Sequence, residues 1–293
     1  MALHKVRFPD GSPRHLLFTG SWDKTIKIWE LEASCRLAIA DYKSGVLLNT
    51  LVGHTDFVKS LTLLPRHLVS TSSDRTIRLW DLGTIAQLGI NSVQTVQTIK
   101  LHTRPVDRSV SATRETGKSS ECILWTADSM GVIHVWTLDP ALGTLVHVET
   151  IKGHETSVTD LLPVEDGLWS GTLHSVLGSQ NTVSMDKTAQ YHPFGSTKRV
   201  SIPHDSSVHS VLLLPAQITT RSILLTGSDD EDIRVWESED DWQTYTMISR
   251  VVGHCGPVTS IKCGVSNGEG VRVITGSLDG TLRSWTFSGK LYL

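Results

Sequence analysis

The stretch LLNTLVGHTDFVKSLTLLPRHLVSTSSDRTIRLWDL, residues 47–82, decides how the rest of the chain is read. It holds four short β-type runs centred on Leu48, Leu61, Leu68 and Leu79, separated by turn residues, and none has the length or period of a helix. In the last run Ile77 and Leu79 face one way and Arg78 and Trp80 the other, which is the period of a strand. Ser73-Asp74-Arg75 ahead of it reads as a tight turn. A histidine followed four residues later by a valine marks the unit as His54 with Val58. The same pair returns as His102 with Val106, His154 with Val158, His204 with Val208 and His254 with Val258, at separations of 48, 52, 50 and 50 residues. So regular a period means one supersecondary unit copied many times, each copy burying its apolar face against its neighbours.

Bulk composition is compatible with such an array. The 293 residues are 39% hydrophobic, enough for a sizeable core. Lys plus Arg number 27 against 30 for Asp plus Glu, and a net charge of −3 supplies no broad pull toward nucleic acid or anionic membrane. Cys35, Cys122, Cys255 and Cys263 show no metal-type pairing and suit a reducing compartment, so neither zinc nor a disulfide framework is expected. MALHKVRFPDG lacks the apolar core of a signal peptide, and no run has the length of a membrane span, which makes cytosol or nucleus the expectation.

The closing phrase of the unit recurs as SWDKTIKIWEL (21–31), SSDRTIRLWDL (72–82), SMGVIHVWTLD (129–139), SMDKTAQYHPF (184–194), SDDEDIRVWES (228–238) and SLDGTLRSWTF (277–287). With the Gly-His pairs upstream, these phrases resemble WD repeats over essentially the whole chain. The resemblance implies an all-β fold, a β-propeller of four-stranded antiparallel blades. Six blades are counted, with approximate bounds 1–53, 54–101, 102–153, 154–203, 204–253 and 254–293 in one domain.

It also implies a role for the recurring polar residues, which in WD repeats form one buried hydrogen-bonded chain per blade. Carried onto this sequence, the set is His54, Ser70 or Ser72, Asp74 and Trp80, with His204, Asp230 and Trp236, and His254, Asp279 and Trp285, as its counterparts. A Ser-His-Asp nucleophilic triad uses the same residue types, but a triad occurs once per active site and this set occurs repeatedly. Two copies depart. Met130 takes the turn position of Asp in the third, with Asp128 two residues earlier, and His192 stands where Trp belongs in the fourth. Their polar chains are expected to be incomplete.

Three segments break the period. The fourth copy spans 38 residues from His154 to His192, against 26 from His54 to Trp80, and deleting 171–182 (GTLHSVLGSQNT) restores the pattern. That places an insertion inside the second strand, whether native or brought in by a transcript or gene model; a rival register through Thr182 and Ser184 would only lengthen a loop. Residues 31–45 read as a linker and 112–121 (ATRETGKSSE) as a polar loop. At the start, aligning Leu3, Val6 and Phe8 with Val58, Leu61 and Leu63 puts Met1 two residues past a Gly-His, while SGKLYL (288–293) reads as a last fourth strand. Two architectures stay open on this count, a six-bladed ring and a seven-bladed propeller lacking its first segment. The acidic residues of the fifth copy, Asp229 to Asp232 and Glu237 to Asp241, read as solvated turn charges.

The resemblance further implies that partners dock on the top rim, through the residue before the turn Asp and those flanking the valine. These positions include Trp22, Phe57, Lys59, Ser73, Pro105, Asp107, Met185, His209, Asp229 and Leu278. Trp22 and Phe57 have the character of binding hot spots, and adjacent blades would bring them together. The function expected is a non-catalytic scaffold or adaptor for a protein or peptide partner, with no cofactor, nucleic acid, membrane or small-molecule substrate. A propeller glycosidase and a defective isoform are the alternatives, and SLDGTLRSW lacks the sialidase Asp-box spacing. The intact Trp80-Asp81 pair is followed by Leu82 and Gly83 rather than the Arg by which ubiquitin-ligase adaptors dock, so that route has no support.

Overall fold

Turn residues and period-two runs cut the chain into short strands, and among the described residues helix is confined to one turn at Ile85–Leu88 and a 3-10 turn at Ile90–Ser92. The computed structural model describes residues 1–33, 42–116, 119–164, 167–172, 187–193, 199–214, 222–240, 242–264 and 270–287. The strands form six antiparallel sheets, three in a first compact unit, 1–151, and three in a second, 152–293.

In the first unit, sheet one is β1 (Ala2–Arg7), β2 (Pro13–Gly20), β3 (Ile26–Ala33) and β4 (Tyr42–Leu51). Sheet two is β5 (Val58–Leu64), β6 (His67–Ser72), β7 (Ile77–Asp81) and β8 (Thr95–Ile99), and sheet three is β9 (Val106–Thr116), β10 (Ser119–Asp128), β11 (Val132–Asp139) and β12 (Thr144–Lys152). In the second unit, sheet four is β13 (Val158–Val164), β14 (Gly167–Thr172), β15 (Thr188–Pro193) and β16 (Val200–Pro203). Sheet five is β17 (Val208–Leu213), β18 (Ser222–Ser228), β19 (Ile233–Ser238) and β20 (Thr246–Val251). Sheet six has β21 (Val258–Cys263), β22 (Val271–Ser277) and β23 (Leu282–Phe287); the fourth strand read from SGKLYL lies outside the described residues. Every sheet runs in sequence order, so each is a meander of hairpins.

Sheets two and five bury both faces against their neighbours within a unit. Leu16, Phe18, Ile26 and Ile28 of sheet one pack with Val58, Leu61, Leu68 and Trp80 of sheet two, whose other face, Val69, Ile77 and Leu79, packs with Leu124, Trp136 and Leu145 of sheet three. In the second unit Trp169, Tyr191 and Ile202 meet Val208, Leu224 and Trp236, and Leu225, Ile233 and Val235 meet Val258, Ile261 and Val271. This is why β6, and β18 after its first residue, are buried throughout instead of alternating. It also gives the recurring valine its reason. A Cβ added to Gly20 would stand 2.6 Å from Val58 Cγ1, one on Gly227 2.8 Å from Val258 Cγ1, and one on Gly171 3.2 Å from Val208 Cγ1. The valine after each of these histidines fills the space that a glycine leaves on the preceding sheet.

The irregular segments differ from the sequence reading in four ways. Gly167–Thr172 is one unbroken strand, with Val158 opposite Thr172 and Ser170 opposite Gln190, so the second strand is not interrupted at 171. The extra residues follow Thr172, and 173–186, Met185 among them, lie outside the described residues. A break at 171 would lose the glycine that accommodates Val208. Of residues 112–121, those described are strand: β9 runs to Thr116 and β10 starts at Ser119, with Glu115 opposite Ser120, Arg114 opposite Glu121 and an Arg114–Glu121 ion pair of 2.9 Å, while 117–118 lie outside the described residues. The span 31–45 is likewise strand at Leu31–Ala33 and from Tyr42 onward, with 34–41 outside the described residues. Finally, Ala2 lies opposite Phe18, and Phe18 opposite Ile28, as Thr62 lies opposite Val69 and Val69 opposite Leu79. Ala2 therefore matches Thr62 and Leu3 matches Leu63, not Val58. The hairpin turn at Phe8–Ser12, closed by Phe8 N–H to Ser12 O at 3.0 Å, is longer than its counterpart in sheet two, which shifts β1 in sequence relative to β5.

Candidate functional site

The second sheet carries the polar chain in full. Trp80 Nε1–H donates to Ser70 Oγ at 2.9 Å, Ser70 Oγ lies 2.8 Å from His54 Nε2, and His54 Nδ1 lies 2.8 Å from Asp74 Oδ2. One assignment satisfies every member with a neutral imidazole: the serine hydroxyl donates to Nε2, and Nδ1–H donates to the carboxylate. Burial alone would raise the Asp74 carboxyl, but hydrogen bonds from Thr76, Thr55 and His54 outweigh it and hold it at about 2. Burial, opposed by Asp74, lowers the His54 pKa. Ser72 does different work: it donates to Asp56 O at 3.0 Å and accepts from Asp74 N–H at 3.0 Å, fixing the turn.

Sheet six repeats the arrangement, His254 bridging Asp279 at 2.9 Å and Thr275 at 2.8 Å, with Trp285 donating to Thr275 at 2.9 Å. Sheet three, expected to be incomplete, is complete. His102 Nδ1 meets Asp128 at 3.0 Å, His102 Nε2 meets Thr126 at 2.9 Å, and Trp136 donates to Thr126 at 2.9 Å. Asp128 occupies the place of Ser72 and combines two roles, since its other oxygen accepts from Met130 N–H at 3.0 Å as Ser72 accepts from the turn of sheet two. In sheet four His192 takes the place of Trp, its Nε2 lying 2.8 Å from Ser170 Oγ, which His154 Nε2 approaches to 2.6 Å.

Sheet five corrects the expected pairing of His204 with Asp230. His204 Nε2 meets Thr226 at 2.8 Å and Trp236 donates to Thr226 at 2.9 Å, but Nδ1 turns to Ile202 O at 3.1 Å. Asp230 accepts instead from Arg234, at 2.5 Å, which also reaches Asp205 at 2.6 Å. Asp232, standing where sheet two has Thr76, pairs with Arg250. Two carboxylates in one turn repel, and each has recruited an arginine. Without a carboxylate on its Nδ1, His204 is driven by burial down to about 4.

Of the positions expected to meet partners, Trp22, Phe57, Ser73, Pro105, Asp229 and Leu278 lie on turns, Lys59, Asp107 and His209 are the second residues of β5, β9 and β17, and Met185 lies outside the described residues. Trp22 is 76% and Phe57 38% exposed, and their rings stack with centroids 5.4 Å apart and planes 21° apart. Ser73 N–H bonds to Phe57 O at 2.9 Å, and the same bond recurs from Ser129 to Pro105, Asp229 to Ser207 and Leu278 to Pro257. Beside Phe57, Lys59 Nζ reaches Asp107 Oδ1 of the next sheet at 3.7 Å. In the second unit His209 Nε2 lies 2.5 Å from Asp229, and Leu278 is exposed. The stacking brings together Trp22 and Phe57 as their places in adjacent repeats suggested, whereas the Lys59–Asp107 pair joins residues 48 apart that no local pattern links. Among the described residues no three His, Cys, Asp or Glu side chains are grouped to hold a metal ion, and no helix is long and apolar enough to cross a membrane.

Comparison with known proteins agrees with this geometry. The WD40 family (WD domain, G-beta repeat) matches residues 5–30, 45–81 and 245–286. An uncharacterized WD repeat-containing protein of Schizosaccharomyces pombe is 29% identical over 283 residues, covering 94% of this chain and 63% of that protein. Nuclear distribution protein PAC1 of Arthroderma otae is 27% identical over 294 residues, covering 92% and 56%. This chain thus spans less than two thirds of the length of these relatives. Among solved structures, a chain of the mitotic checkpoint complex superposes with a TM-score of 0.66 at 18% identity, covering 97% of this chain and 74% of that one. With its matched WD40 repeats and its antiparallel meander sheets, the chain carries WD repeats and is similar in sequence and fold to WD-repeat proteins.

Proposed function

We propose that this chain is a non-catalytic interaction module that docks a protein or peptide partner on the turns carrying Trp22 and Phe57, as a subunit or adaptor of a larger assembly in the cytosol or nucleus. One observation carries the reading: two large aromatic rings are held against each other at the surface. Aromatic area fixed in advance loses little side-chain entropy on binding, which is what gives such residues their weight in interfaces. Lys59, Ser73, Pro105 and Asp107 border the pair in this proposal. His209, Asp229, Leu278 and Met185 are proposed as contacts on the family pattern alone. A catalytic role for the His, Ser or Thr and Asp sets has less support, because Ser70, Thr126, Thr226 and Thr275 are fully buried and each also receives a tryptophan N–H.

Affinity purification with mass spectrometry, comparing the unmodified chain with Trp22→Ala/Phe57→Ala, tests the proposal. Both side chains lie on exposed turns, so the double variant is expected to melt like the parent while losing a defined partner. A partner set unchanged by the substitutions would overturn the assignment.

A further inference from the structure

Sheet three holds a second constellation that the polar chain does not use. We propose that His134 and His147, assisted by Thr150, bind one divalent late-transition-metal ion of the Cu2+, Ni2+ or Zn2+ class.

His134 Nδ1 and His147 Nε2 lie 3.2 Å apart, and Thr150 Oγ1 lies 2.9 Å from the first and 3.1 Å from the second. An ion about 2.1 Å from each atom, the usual metal–imidazole distance, would see the three at roughly 90–100° to one another. They cap one face of a coordination sphere and leave its other positions to water. Imidazole nitrogen is a borderline ligand that suits this group of metals, with Cu2+ bound most tightly. The hydroxyl is the weak member and serves as a long third ligand or as the holder of a bound water.

The two rings are placed before any ion arrives. His134 packs edge-on against His102, with centroids 4.4 Å apart, and against Trp136 at 5.9 Å. His147 packs edge-on against the same Trp136 at 5.0 Å. His102 is a support and not a ligand, because both of its nitrogens are engaged by Asp128 and Thr126. Access is open from one side, since His134 is buried in β11 while His147 and Thr150 are exposed on β12. The imidazole is also particular to this sheet. In the aligned closing phrases the place of His134 is taken by Lys27, Arg78, Gln190, Arg234 and Arg283. Two imidazoles without a carboxylate or thiolate make a site of modest affinity.

The full chain, stripped with chelator and titrated with Cu2+ alone, tests the inference by calorimetry and electron paramagnetic resonance. One saturable equivalent is expected, with hyperfine structure from two coordinated imidazole nitrogens. His147→Asn, an exposed change that leaves the core intact, is expected to weaken that equivalent by on the order of tenfold or more. His209→Asn, in the other unit, should leave it unchanged. The absence of a saturable equivalent, a spectrum with fewer than two nitrogens, or equal affinity in His147→Asn would each overturn the site. The spectrum of the unmodified chain decides the matter independently of how any variant folds.

Discussion

Replacing Ser70 with alanine removes a single oxygen and breaks two links of the polar chain at once. Ser70 is fully buried between Trp80 Nε1–H, which it accepts at 2.9 Å, and His54 Nε2, to which it donates at 2.8 Å. Alanine leaves one buried donor and one buried acceptor without partners. Each such orphan costs about 1–3 kcal/mol, so Ser70→Ala should destabilise the fold by about 2–5 kcal/mol. The size of the effect separates this chain from isolated contacts. In a Trp80→Phe background the indole donor is already gone, and Ser70→Ala should then cost about 1–2 kcal/mol less, a coupling that a double-mutant cycle reads directly. Urea unfolding followed by circular dichroism measures all four species, and amide exchange in β6 provides the same reading if the two units unfold separately. A loss below about 0.5 kcal/mol, the range of ordinary surface changes, or an equal loss in both backgrounds, would show that Ser70 does not join Trp80 and His54 into one coupled chain.

Other substitutions probe other parts of the fold. Gly227→Ala puts a Cβ 2.8 Å from Val258 Cγ1 and should cost about 1–3 kcal/mol by denaturant unfolding, with Val258→Ala recovering part of it through relieved crowding. Asp279→Asn should shift the His254 imidazole resonances in NMR and cost about 1–2 kcal/mol, whereas Asp230→Asn should leave the ring of His204 unmoved because Arg234 stands on that carboxylate. The pH dependence follows from His204, whose folded pKa of about 4 lies below the unfolded 6.5. The folded state holds fewer protons between those values, so stability is full above pH 6.5 and falls as pH drops toward 4, by about 3 kcal/mol from this residue. Urea midpoints at pH 7.5 and 4.5 should show a smaller difference in His204→Gln, and an unchanged difference would contradict the attribution.

The repeat was legible because the features that mark it are local. Ile77, Leu79 and Trp80 alternate within one strand, and the turn before them has a fixed residue pattern, so strand types and their order followed from residues 72–82 and their copies. Features set by cross-strand register were not legible. Nothing in ATRETGKSSE shows that Arg114 will find Glu121, and nothing in the first ten residues shows that the turn after Phe8 is longer than that after Leu64. The place of the insertion is hidden for the same reason: the repeat pattern alone admits both a deletion at 171–182 and a register through Thr182 and Ser184. Only the pairing of Gly171 with Ala189, beside Val208 of the next sheet, keeps it inside the strand.

The departures of sheets three, four and five from the pattern share a direction. Asp128 reaches the histidine from two residues upstream, His192 replaces the indole, and the Ile202 carbonyl replaces the carboxylate, yet Thr126, Ser170 and Thr226 each keep a hydroxyl between two ring nitrogens. Sheet one retains the Trp29–Thr19 half of the same chain at 2.8 Å. The ends of the chain lie near turns, where a neighbouring carboxylate or backbone carbonyl can supply a missing partner. The hydroxyl lies on the second strand, and Ser70, Thr126, Ser170, Thr226 and Thr275 are fully buried, so a lost partner there cannot be replaced by water or by a shifted loop. Substitution is therefore tolerated at the ends and not at the node. A turn that is free to vary while its brace stays fixed can carry Trp22 in one sheet, Ser73 in the next and Asp229 in another without disturbing the blade beneath.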